Sequence, residues 1–282
     1  MLLRRHEGTE GRSTTIRIGI NLTTVWIERG HLRRESALLE ESQKSLESIF
    51  TQSSPPDFID CFLNTVPLCI GYRGLTRHLA GDHVAAEADY RDAIVRLRSL
   101  DRNHAIENFS RFLADLLTAQ GDVEGANAAL FEAEEAATGL QQLDLVHAIY
   151  LSKAKALLRV RDRGETEGTH REIDHLLRQS MSYASEMGLY RLKAEGLTLS
   201  AAAWFERGDL KQARRDAMES LSIATYHGMI LRKLSAMTIL GRIFTQSGQI
   251  DAGASLFKEA QRAGQRIGYH RLVQSAFIAK NA

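Results

Sequence analysis

The stretch from Met237 to Ala260, MTILGRIFTQSGQIDAGASLFKEA, contains two apolar-periodic runs joined at Gly248. Met237, Leu240, Phe244 and Phe257 are large, whereas Gly241 and Ala260 are small. That alternation suits a helical hairpin in which small residues let the two helices cross closely and large ones fill the gap to the next pair. Glycine at the joint takes a left-handed conformation cheaply. The same text recurs upstream. Ile70, Gly74, Ala86, Tyr90 and Ala93 surround Gly81-Asp82; Leu113, Ala114, Leu117, Ala126, Leu130 and Ala133 surround Gly121-Asp122; Leu197, Ala201, Trp204 and Ala213 surround Gly208-Asp209. In three of the four, an Asp follows the glycine and is placed to cap the second helix. Gly81 and Gly121 lie 40 residues apart, Arg161-Asp162 falls at the next 40, and Gly208 and Gly248 resume the interval after seven extra residues. A second phrase keeps the same beat, with Gly188, Gly228 and Gly268 each 40 apart. A fixed period of this length marks a solenoid, whose units bury their apolar faces only by stacking on one another.

Composition supports helix throughout. The only three prolines, Pro55, Pro56 and Pro67, sit in one early region, so no such helix breaker follows Leu68. Cys61 and Cys69 are eight apart on one expected helix and cannot face each other as a bridge, which favours a reduced, cytoplasmic setting. No run approaches the ~18 apolar residues of a membrane span. The expected organisation is a disordered leader over 1–14, a degenerate helix pair over 15–50 with Ile18, Leu22, Val25 and Trp26 as its first apolar stripe, a Ser/Pro linker over 51–56, and the repeat array over 57–282 with an insertion near 161–169.

Leu240-Gly241 with Phe244, Phe257 and Ala260, and Gly74 with Ala86, Tyr90 and Ala93, resemble the signature of the tetratricopeptide repeat. The standard unit of that family is 34 residues and closes on a proline. Here six more residues lengthen the helices by about 9 Å in total, and the proline is missing. The longer variety resembles the C-terminal helical arrays of bacterial signalling and transcriptional regulators. The expected fold is therefore an all-α, tetratricopeptide-like α-solenoid: a right-handed superhelix of about six antiparallel helix pairs, with a short C-terminal capping helix from Arg271 to Ala279.

The resemblance further implies a concave groove lined mainly by first helices. Transferred through the turn glycines, its positions fall on Asn108, Arg111, Asp115 and Thr118, on Leu151 and Lys155, on Glu195, Thr198, Ala202 and Phe205, and on Ser235, Thr238, Arg242 and Thr245. This mixture suits an extended peptide, with Arg111, Lys155 and Arg242 as carboxylate partners.

No phosphate-binding loop, dinucleotide fingerprint or nucleophile elbow occurs. His170 and His175, with two carboxylates between them, are five apart and about 140° round a helix, the wrong spacing for shared ligation. No catalytic residue, cofactor or metal is expected. Trp26 and Trp204 read as packing residues. Charge is uneven: residues 189–282 hold 14 Lys and Arg against 7 Asp and Glu, while residues 1–188 hold 22 against 28. Lys211, Arg214 and Arg215 share one second helix and Arg262 and Arg266 the next, giving a candidate basic contact face. A solvated outer face is the leading reading of that stripe, then a protein contact, then nucleic acid. The sequence thus points to a non-enzymatic adaptor or regulatory module that binds a protein or peptide. The alternative is a sensing domain, or a fragment of a larger regulator, whose groove binds a small effector and gates a partner or DNA-binding chain.

Overall fold

The computed structural model describes residues 23–49, 56–100, 105–160 and 167–269, and among these it contains twelve helices and no strand. The helical residues 23–28 form α1. Then follow α2 (Leu32–Ile49), α3 (Pro56–Ala80), α4 (His83–Ser99), α5 (Ile106–Gln120), α6 (Val123–Gly139), α7 (Leu143–Val160), α8 (Glu167–Glu186), α9 (Tyr190–Glu206), α10 (Leu210–Tyr226), α11 (Ile230–Gln246) and α12 (Ile250–Ile267). They pair in chain order into six hairpins. The expected leader, most of the Ser/Pro linker, the heart of the insertion (161–166) and the capping helix lie outside the described residues. Pro56 opens α3, where a missing N–H costs nothing, and Glu167 to Thr169 already belong to α8.

The hairpin joints follow the repeat text. Gly81, Gly121, Gly208 and Gly248 all have φ between 79° and 89°. Asp82, Asp122 and Asp209 accept hydrogen bonds from the backbone N–H groups of Ala85, Gly125 and Gln212 at 3.2, 2.9 and 3.0 Å. The α6–α7 joint has no glycine at the turn, and Gln141 is forced to φ 54°. Crossings are close where glycine was expected to permit it. A Cβ on Gly241 would stand 3.1 Å from the Phe257 ring, and one on Gly253 would stand 2.7 Å from the Gly241 carbonyl oxygen.

The core is a stripe handed from pair to pair. Ile70, Tyr90, Phe109, Leu116 and Leu130 belong to one buried cluster through α3 to α7; Leu151, Ile173, Leu177 and Leu192 continue it through α9; Ala201, Ala213, Ala217 and Leu240 carry it into α11. Successive first helices also touch, α3 with α5, α5 with α7, α7 with α9 and α9 with α11, which puts them on the inner, shorter side of the curve.

A last cluster joins the two ends. Ile27 of α1 and Leu32 of α2 pack with Leu79, with Leu231, Leu234 and Met237 of α11, and with Ala260 and Tyr269. Gly30 lies so close to Ile267 that a Cβ there would meet it at 3.1 Å, and a Cβ on Gly268 would meet Arg33 at 3.3 Å. The array therefore curls until its first described pair rests on its last. Of the expected first stripe, Ile18 and Leu22 lie outside the described residues; Trp26 is half-buried, whereas Val25 is half exposed and the buried face of α1 runs through Thr23 and Ile27.

Candidate ligand cavity

Curling leaves a central cavity of about 1060 Å³, and nearly all of its wall comes from the first helix of each pair. Ile27 and Glu28 of α1, Tyr72 and Leu75 of α3, Asn108, Arg111 and Asp115 of α5, Lys155 of α7, Arg191, Glu195 and Thr198 of α9, and Arg232, Thr238 and Arg242 of α11 all face it. Residues three and four apart share a helix face, so Asn108, Arg111 and Asp115 line one wall as Arg191, Glu195 and Thr198 line another. Nine of the fourteen groove positions expected from sequence reach this one space: Asn108, Arg111, Asp115, Lys155, Glu195, Thr198, Ser235, Thr238 and Arg242. Phe205 lies behind the wall, with the Arg242 guanidinium 4.5 Å over its ring. Thr118 and Leu151 are buried, and neither they nor Ala202 and Thr245 line the cavity.

Most charges in the cavity are already paired. The Lys155 ammonium is 2.9 Å from Asp115, and Arg242 donates to Glu206 at 2.9 Å. Arg232 donates to Glu28 at 2.9 Å and sits 3.2 Å from Glu195, so one guanidinium holds α9 and α1 to α11. Burial acts to raise the Glu195 pKa, but Arg232, Arg191 and Arg111 outweigh it and hold the carboxyl below its ordinary value. For Arg232 burial opposes the charge, and Glu195 and Glu28 more than reverse that, so its pKa is raised. Arg111 differs: burial dominates, Asp115 and Glu195 only partly offset it, and its pKa is lowered.

Arg232, Glu28, Tyr72 and Arg191 were not among the expected groove residues. Arg191 occupies the first turn of α9, one turn before Glu195, and was reachable by extending the same helix face. Glu28 and Tyr72 were not reachable in that way, because the wall they belong to exists only once the ends meet.

The basic stripe lies on second helices, facing away from the cavity. Lys211, Arg214 and Arg215 on α10 and Arg262 and Arg266 on α12 are all exposed. Arg214 lies 4.9 Å over the Phe244 ring and Arg215 is 3.2 Å from Asp216. In the His170 to His175 segment, Asp174 accepts from Arg207 at 2.9 and 3.0 Å, which ties α8 to the end of α9. Trp26 and Trp204 are half-buried, each under an arginine, Arg34 at 4.7 Å and Arg207 at 5.1 Å. Among the described residues no helix is long and apolar enough to cross a membrane.

No protein-family model matches the chain, and no curated protein matches it by sequence. Solved structures do. NprR in complex with its cognate peptide NprX superposes with a TM-score of 0.69 at 13% identity, covering 98% of this chain and 74% of that one. Rap protein complexed with competence and sporulation factor gives 0.63 at 14% identity, over 94% and 80%. Aspartyl phosphate phosphatase F from Bacillus subtilis gives 0.55 at 11% identity, over 94% and 78%. With its six stacked hairpins, glycine joints and inner wall of first helices, the chain has the tetratricopeptide-like α-solenoid fold.

Proposed function

We propose that this chain is a non-enzymatic regulatory module that binds a short peptide in the central cavity. The observation that carries this reading is the wall itself: a continuous space at the upper end of ligand-pocket volumes, to which the first helices of all six pairs contribute. A space built from every repeat suits an extended ligand better than a compact one. NprR and the Rap protein were each solved with a peptide or signalling factor, on the same fold. The sequence carries no phosphate-binding loop, dinucleotide fingerprint or nucleophile elbow to favour an enzyme over a binder. The working compartment in this reading is the cytoplasm. The outward basic stripe plays no part in it, and nucleic acid is not the proposed partner.

The test is to pass low-molecular-weight cell extract over the purified chain and identify retained peptides by mass spectrometry, beside a Ser235→Trp variant that obstructs the cavity. Peptides retained by the parent and lost from the variant are expected. Equal retention by both would move the contact to the outer face, and no retained peptide would overturn the reading.

One observation favours a sensing version of the same reading. Arg232 lines the cavity and also bonds Glu28 across the closure, so a ligand that engages Arg232 competes with the contact that joins the ends. That version predicts a ligand-dependent change in radius of gyration by solution scattering. An unchanged profile at saturation would count against it.

A further inference from the structure

Arg111 is only 4% exposed, yet it faces the cavity. Its guanidinium lies 4.5 Å over the Phe112 ring, and its Nε has no hydrogen-bond partner. Among the described residues no carboxylate comes within ion-pair distance of it, in contrast to Lys155, Arg232 and Arg242 on the same wall. Burying a guanidinium without an ion-pair partner is costly, because water's solvation is lost and the charges of Asp115 and Glu195 offset only part of it. Stacking on one aromatic ring compensates only in part. A second cation without an ion-pair partner among the described residues, Arg191, faces the same space from α9, and its charge and that of Arg232 act to lower the Arg111 pKa. The cavity wall holds six Lys and Arg side chains against four Asp and Glu, an excess of two.

We propose that Arg111 and Arg191 form an anion subsite that receives a carboxylate of the bound peptide. This rests on the peptide reading above and deepens it. The incoming carboxylate replaces lost hydration at Arg111 with charge-assisted hydrogen bonds and removes its repulsion with Arg191. The walls beside it are apolar and aromatic, through Tyr72, Phe112, Leu75 and Leu231, so the ligand residue next to the carboxylate is apolar or aromatic. Lys155 and Arg242 are spoken for by Asp115 and Glu206 and are not the carboxylate partners.

The chemistry fits a peptide's terminal carboxylate or an acidic side chain, and the test separates them. Immobilised full chain is incubated with three pools of short, N-acetylated degenerate peptides. One has a free C-terminal carboxylate and lacks Asp and Glu; one is C-terminally amidated and contains Asp and Glu; one is amidated and lacks both acids. Retention from the first or the second pool, about tenfold or more above the third, is expected, and the pool that is retained names the source. Arg111→Met and Arg191→Gln should each lower that retention by about tenfold. Arg191 is exposed, so its variant keeps the fold; Arg111→Met sheds a buried charge and should melt no lower than the parent. Equal retention from the third pool would overturn the subsite and leave peptide binding standing. Retention of the acidic pools unchanged in both variants would also overturn it. Retention of nothing would remove both readings.

Discussion

The last hairpin has an internal seam and a closure seam, and the two are built differently. Its internal seam, α11 against α12, is made of repeat text: Gly241 and Gly253 bring the helices together and the Phe257 ring covers Gly241. The closure seam, α1 and α2 against α11 and α12, joins segments about two hundred residues apart. It is part apolar, through Ile27, Leu32 and Tyr269, and part ionic, through Glu28 and Arg232. The internal seam forms from chain neighbours and needs no loop closed. The closure seam requires the whole array to be stacked first, so it is the natural place for the molecule to open.

The largest effect is expected at the closure. Arg232→Ala leaves Glu28 and Glu195 without their shared cation in a half-buried setting, at about 3 kcal/mol or more. Solution scattering should then show an enlarged radius of gyration with helical circular dichroism unchanged. If the radius stays the same, the apolar part alone holds the ends together. At the internal seam, Gly241→Leu drives a side chain into the Phe257 ring and should cost about 2–3 kcal/mol by chemical denaturation. Unlike the Arg232 variant, it should lose helix. A variant that melts like the parent would mean the helices do not cross at Gly241.

Glu35 sharpens the contrast through pH. It lies in the first turn of α2, is almost fully buried, and burial raises its pKa above 4.5 despite a hydrogen bond from Thr23 and the charge of Arg34. A raised folded value means its favourable contribution is complete below about pH 4.5 and is lost as pH rises through the folded pKa. Glu35→Gln should therefore raise the melting midpoint at pH 7, with the gain vanishing on acidification. A gain that does not depend on pH would show that Glu35 does not titrate in the folded chain. The smallest effect lies at the joint that lacks glycine: Gln141→Gly relieves a left-handed backbone at some cost in unfolded-state entropy, for a net gain of about 0.5 kcal/mol in a denaturant midpoint.

The two seams also divide what could be read in advance. Gly81, Gly121, Gly208 and Gly248 name the joints, and Asp82, Asp122 and Asp209 name the caps, because a left-handed turn and a helix N-terminus each demand particular residue types nearby. Arg111, Asp115, Glu195 and Thr198 were placed on the inner wall because a helix face repeats every three to four residues and the turn sets its phase. Phe205, at the end of α9, strayed behind the wall as that face wound past it. Val25 misled because an apolar residue on a short first helix has no repeat text to fix which side is covered.

The sequence by itself determined the helices, their pairing, their joints and most of the inner wall, since each depends on neighbours within one or two repeats. Only the tertiary structure decided that the ends meet, that Glu28 and Tyr72 complete the cavity, and that Arg111 has no ion-pair partner among the described residues while Lys155 and Arg242 do. Those outcomes depend on small rotations summed over six hairpins and on which carboxylate arrives opposite each cation, and no local spacing records either.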